Sequence, residues 1–121
     1  MRYVRALNRT RGRELGARVG LADRWWLRAR GLLGRASLSE GEGLLLRPCR
    51  AVHMLGMGFP LDVAFLDPDG AVLALYPDLG PGGRTQWHRH AVDALELPTG
   101  TLEATGTVVG DIIVCSAEEF R

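Results

Sequence analysis

Apolar residues fall along this chain in short runs, each closed by glycine, proline or aspartate. The sharpest is Leu-Asp-Val-Ala-Phe-Leu at residues 61–66, followed by Asp67-Pro68-Asp69-Gly70 and a second apolar run over 71–76. Proline presets the backbone angle of a turn and glycine accepts its left-handed position, so the spacing predicts a β-hairpin. Further strands are expected at 17–22, 43–47, 92–97 and 111–115, and one over 49–57 broken by Gly56 and Gly58. Residues 3–8 read as an edge strand or tail, 9–16 as a polar turn, and 99–105 as one helical turn. One amphipathic helix is expected from Asp23 to Leu33. Asp23 would cap it, and Trp25, Ala29 and Leu32 would share its inner face. At least one of the paired tryptophans should then be a buried core anchor.

Many short strands with turn residues between them predict a mainly β domain, a β-dominated α+β fold. Its form would be a sandwich or a partly open barrel with the helix near the N-terminus closing one side. The 121 residues fit a single domain, 1–121, with 1–16 its edge strand or tail. The 16 glycines favour tight turns over long helices. No apolar run is long enough for a membrane span, and the N-terminus has no apolar core of a signal peptide, so a cytoplasmic chain is expected. The two cysteines, Cys49 and Cys115, are too few for a disulfide scaffold and are expected as free thiols.

Charge is lopsided. Residues 1–35 carry ten arginines against Glu14 and Asp23, while 36–121 carry five arginines against twelve acids; lysine is absent. A basic third could meet nucleic acid or an acidic lipid surface. The plainer reading is that it pairs with the acidic remainder of its own fold. Aromatics interleave poorly with the arginines and no nucleic-acid motif is present, so nucleic acid is not the expected partner.

Chemistry-bearing residues concentrate in two places. Cys49, His53 and Met57 form a soft set, spaced by four, of the kind that suits copper or zinc. On a strand they would stand about 13 Å apart in sequence, too far for shared coordination, so they are weak metal candidates and no cofactor is expected. His88 and His90, in Trp-His-Arg-His, would point the same way on a strand. Asp62 opens the apolar strand as a lone carboxylate without an evident acid–base partner. No nucleophile elbow and no phosphate-binding glycine loop occurs. The candidate ligand-binding residues are therefore His53, Met57, Phe59, Asp62, His88 and His90. They fit a small non-enzymatic binding or accessory domain holding a small molecule or a partner protein near His53, Met57 and Asp62. The alternative is a hydrolytic or metal-assisted enzyme using His53, Asp62 and the 88–90 histidines.

An ordered set of short motifs carries a family resemblance. Arg28, Gly31, Leu32, Leu33 and Arg35 come first, then the Glu-Gly-Glu-Gly-Leu-Leu-Leu of residues 40–46. Pro48, Cys49, Val52, His53 and Met57 follow, then Phe59-Pro60-Leu61-Asp62-Val63, with Phe65, Leu66 and Asp67. Leu95-Glu96-Leu97, Gly100 and Gly110-Asp111 complete it. From about Val19 on, the chain resembles the domain of unknown function family 192. The resemblance implies a compact, mostly β domain with short helices, and it supplies no catalytic residues. Met54 and Gly58 stand where relatives often carry a threonine and a basic or amide residue, which makes the segment less polar.

Overall fold

The computed structural model describes residues 1–117. Seven strands form one curled sheet: β1 Arg2–Asn8, β2 Arg13–Ala22, β3 Glu42–Leu46, β4 Leu61–Leu66, β5 Val72–Leu79, β6 Asp93–Pro98 and β7 Ile113–Ala117. Their spatial order is β5-β4-β6-β3-β2-β1-β7. Every pair is antiparallel except β2 with β3, which α1 (Trp25–Arg30) connects; α2 (Thr101–Thr105) lies between β6 and β7. The sheet is a half-barrel. It curls far enough for the segment before β7 to meet the start of β5, where Ala71 bridges Ile112 and the Val72 amide donates to the Asp111 carbonyl at 2.9 Å. Of the two forms expected, the partly open barrel is the one adopted.

The hairpin forms as its residues dictate. Leu61–Leu66 pairs antiparallel with Val72–Leu79, and the Asp67 carboxylate accepts from the amides of Asp69 and Ala71, both at 2.9 Å. Gly70 is required twice over. Its φ is +84°, and a Cβ there would stand 2.3 Å from the Ile113 carbonyl oxygen, at the point where the sheet closes on itself.

Both faces of the sheet are covered, and the strand period of two sorts the side chains between them. One face gathers Val19, Leu45, Ala64, Leu95 and Leu97 under α2, which contributes Leu102. The other gathers Leu44, Leu46, Val63, Phe65 and Ala94 under the chain following α1 and residues 52–54, which contribute Leu32, Val52 and Met54. All six residues of β4 are buried, as expected of a strand with packed layers on each side.

The N-terminal third departs from expectation. Residues 3–8 are not at an edge: β1 lies between β2 and β7, and β7 is the edge strand. β2 begins at Arg13, so the polar turn is shorter than expected. The helix is only six residues long. Its N-cap is Arg24, with no side-chain cap, because the Asp23 carboxylate takes Arg2 at 2.9 Å instead. It ends at Gly31, three residues before the expected stop at Gly34, with the Gly31 amide bonded to the Leu27 carbonyl. So short a helix buries one narrow stripe, through Leu27, and leaves both tryptophans outside. Trp25 is 70% exposed and Trp26 52%, their rings edge to face at 5.9 Å. The expectation of a buried tryptophan anchor is therefore corrected. Trp25→Ala should change stability by about 0.5 kcal/mol or less, the range of surface substitutions, rather than by the several kcal/mol of a core cavity. A urea melt of the two proteins measures it; a loss above about 2 kcal/mol would put the ring back in the core.

Residues 49–57 also differ from expectation. They are an irregular segment rather than a strand, with one isolated bridge between His53 and Arg84. Among the described residues no helix is long and apolar enough to cross a membrane.

Candidate functional site

The segment over 48–57 leaves β3 across the face of the sheet and is tied down by main-chain bonds. The amides of Cys49, Met54 and Thr85 donate to the carbonyls of Val92, Gly83 and Val52 at 2.9, 2.7 and 2.9 Å, and the His88 amide donates to the Arg50 carbonyl at 2.8 Å. Thr85 adds its hydroxyl as acceptor for the Val52 amide at 3.0 Å. The segment thus stands as a fixed wall over the second core layer, opposite α1 and the turn that follows it.

Between these walls lies a concavity of about 440 Å³. Arg28, Leu32 and Leu33 line it from the helix side, Leu46 from β3, and Cys49, Arg50, Val52, His53, Met54 and Met57 from the segment. Leu33, Leu55 and Trp87 stand exposed around it. Glu96 of β6 also lines it. Glu96 pairs across the sheet with Leu44 of β3 and Val63 of β4, two members of the second core layer, and so stands among apolar neighbours.

The Glu96 carboxyl is the anomalous group of the site. The residue is 7% exposed and among the described residues its side chain makes no hydrogen bond and no ion pair; no wholly buried side-chain oxygen or nitrogen among them lacks a partner, so the carboxyl oxygens keep a narrow opening to solvent. Burial alone pushes its pKa up to about 7, since a carboxylate removed from water without a partner disfavours its charge. Burial likewise pushes the Cys49 thiol up, against a smaller opposing effect of its contact with the Ala51 carbonyl at 3.2 Å. Cys49 is therefore a neutral thiol rather than a poised nucleophile. The Arg28 guanidinium is engaged by the Arg47 carbonyl at 3.1 Å.

Of the sequence-derived candidates, the pocket brings together Cys49, His53 and Met57. Phe59 is half-buried against the second core layer and is not part of the lining. Asp62 lies elsewhere. Its carboxylate accepts from the amides of Asp78, Gly100 and Leu102 at 2.9, 3.1 and 2.9 Å, joining β4 to β5 and to α2. His88 is held between rings: its Nε2 is 2.7 Å from the Tyr76 hydroxyl, and it packs on Phe65 with centroids 4.6 Å apart. His90 is exposed, beside Arg89 at 3.2 Å. Among the described residues no three histidine, cysteine, aspartate or glutamate side chains are grouped to hold a metal ion. Both cysteines are free.

Sequence reasoning passed over Glu96. Leu-Glu-Leu is the ordinary pattern of a strand with one wet face. Only the knowledge that β6 is sandwiched between β3 and β4, with a packed layer on either side, turns that glutamate into a buried one.

The family model of DUF192, Uncharacterized ACR, matches residues 6–115. The chain belongs to this family. No curated protein matches the sequence. Two crystal structures share the fold. One is a protein of unknown function from Novosphingobium aromaticivorans DSM 12444, 24% identical, with TM-score 0.79 over 93% of this chain and 83% of that one. The other, from Sinorhizobium meliloti 1021, bears the name "putative transcription regulator"; it is 25% identical, with TM-score 0.74 over 95% and 96% of the two chains. These neighbours agree with the DUF192 chain in its β-dominated half-barrel with short helices.

Proposed function

We propose that this DUF192 domain is a small binding module whose ligand, a small molecule with an apolar body, occupies the concavity beside His53 and Met57. The observation that carries the reading is the lining: a preformed hollow of about 440 Å³ whose walls are mainly apolar, with Arg28, Cys49, Arg50, His53 and Glu96 as its charged or titratable groups. Its size falls in the range of small-molecule sites. Catalysis by the alternative residue set would need His53, Asp62 and the 88–90 histidines to converge. Asp62 is instead consumed by three backbone amides, and His88 by Tyr76.

Filling the hollow tests the reading. Ala51 lines it and is half-buried, so Ala51→Trp should occupy the space while leaving the sheet intact. In a fragment screen by two-dimensional amide NMR, binders should shift the resonances of residues 49–57, and those shifts should vanish in Ala51→Trp. A screen whose binders all perturb other regions, or bind the variant equally well, overturns the proposal.

A further inference from the structure

The pocket holds a buried acid, Glu96, for which the described residues offer no partner. Among the described residues Glu96 lacks any hydrogen bond or ion pair, although it is more than nine-tenths buried. Its cross-strand neighbours Leu44 and Val63 offer nothing polar, and the lining is the side on which a ligand can reach it. A carboxyl in this position gains little from the fold, since an apolar side chain of like size would bury there at no electrostatic cost.

The charged and titratable groups that share the pocket with it are Arg28 from α1 and Cys49, Arg50 and His53 from the facing segment. None of them pairs with it. Arg28 is engaged by a backbone carbonyl, Arg50 and His53 are exposed, and Cys49 is a neutral thiol that adds no countercharge. Among the described residues nothing supplies a countercharge to the carboxylate form, so a ligand is placed to do so.

From this unpartnered carboxyl in an apolar pocket, and resting on the binding reading above, we infer that the ligand carries a single protonated amine or amidine on an apolar body, with the cation seated on Glu96. A charge-assisted hydrogen bond to a carboxyl so largely removed from water is among the strongest polar contacts available, and it satisfies Glu96 at the same time. The two arginines in the lining set a limit. They repel a second positive charge, so a monocation with an apolar tail is favoured over a polyamine. Binding also moves a proton. Below the Glu96 pKa of about 7 the free pocket holds a neutral acid, and an arriving ammonium group favours the carboxylate, so the Glu96 proton leaves to the buffer as the ligand binds.

Three probes of one chain length separate the possibilities: octylamine, octan-1-ol and octanoate, titrated calorimetrically into the intact protein at pH 6 in two buffers of different ionisation enthalpy. The amine should bind about tenfold or more tighter than the alcohol, with roughly one proton released per ligand. Glu96→Gln should abolish both the preference and the proton release while still binding the alcohol. Its fold is checked by its amide NMR spectrum. Should Glu96→Gln not fold, the amine-over-alcohol preference of the unaltered protein, compared with that of Ala51→Trp, carries the test, and a preference that Ala51→Trp leaves unchanged overturns the inference. Equal binding of amine and alcohol overturns it too, as does tightest binding of octanoate, which would make Arg28 and Arg50 the recognition groups; in either case the pocket reading survives. If no octyl compound binds in a manner sensitive to Ala51→Trp, both readings fall together.

Discussion

Glu96→Gln is expected to make the domain more stable at pH 8 relative to the original chain, and the advantage should shrink as pH falls. The sign follows from the raised pKa. The unfolded chain releases the Glu96 proton above its ordinary value of 4.5, whereas the folded chain holds it until about 7. Between those values the unfolded state is progressively favoured, and above 7 the difference is constant. The shift corresponds to about 3 kcal/mol, a large share of the stability of a small domain. Below pH 4.5 both states carry the neutral acid and the effect is absent. The glutamine form titrates in neither state, so the stability gap between the two proteins should open by about 3 kcal/mol from pH 4 to pH 8. Other titrating groups are common to both proteins and cancel. Urea melts at four pH values measure the gap; a gap that does not change with pH would mean that Glu96 is solvated or partnered in the folded protein. A stability cost of this kind, held in a pocket, is what a binding group exhibits when its ligand is absent.

Much of the fold was legible because its decisive features are local. The turn at residues 67–70 needs only its own proline, glycine and aspartates to be read, and the flanking apolar runs pair as those residues require. The helix was less legible. Hydrophobic periodicity placed Trp25 on an inner face, but a helix that stops at Gly31 has too few turns to bury a tryptophan, and Asp23 left the cap for Arg2, twenty-one residues earlier in the chain but brought alongside by the pairing of β1 with β2. For the site, the pattern around Cys49, His53 and Met57 drew attention to the correct wall. The opposite wall and the acid at its base were not visible, because burial of Glu96 is set by the order of strands, β4-β6-β3, and no local pattern encodes that order. Asp62 shows the converse error. A carboxylate beside a chemistry-rich segment suggests a ligand group, whereas its partners come from β5 and α2, sixteen and about forty residues away along the chain.

Asp62→Ala is accordingly expected to cost about 3 kcal/mol of stability, because it takes the acceptor from one buried amide and from two part-buried ones. Asp62 is 1% exposed, and its two oxygens serve three amides: Oδ1 that of Asp78, Oδ2 those of Gly100 and Leu102. The first fixes Asp78 at φ +53°, an unfavourable angle for a side chain other than glycine, beside the irregular register of β4 with β5. The other two perform for α2 the service of a capping side chain, which its own N-cap, Gly100, cannot provide. A buried amide left without an acceptor costs about 1–3 kcal/mol, which applies to Leu102, while water can replace part of what the part-buried amides of Asp78 and Gly100 lose. Asp62→Asn is the sharper variant. Its amide can present one oxygen, so either the Asp78 amide or the pair at α2 would face an NH₂ group, donor against donor; a loss of about 2–3 kcal/mol is expected. Both variants should lose stability without any change in the affinity of the folded protein for a pocket ligand, since no part of Asp62 lines that hollow. Chemical denaturation gives the first quantity and calorimetric titration with the best fragment gives the second. A variant that keeps its stability and loses its ligand would return Asp62 to the binding site.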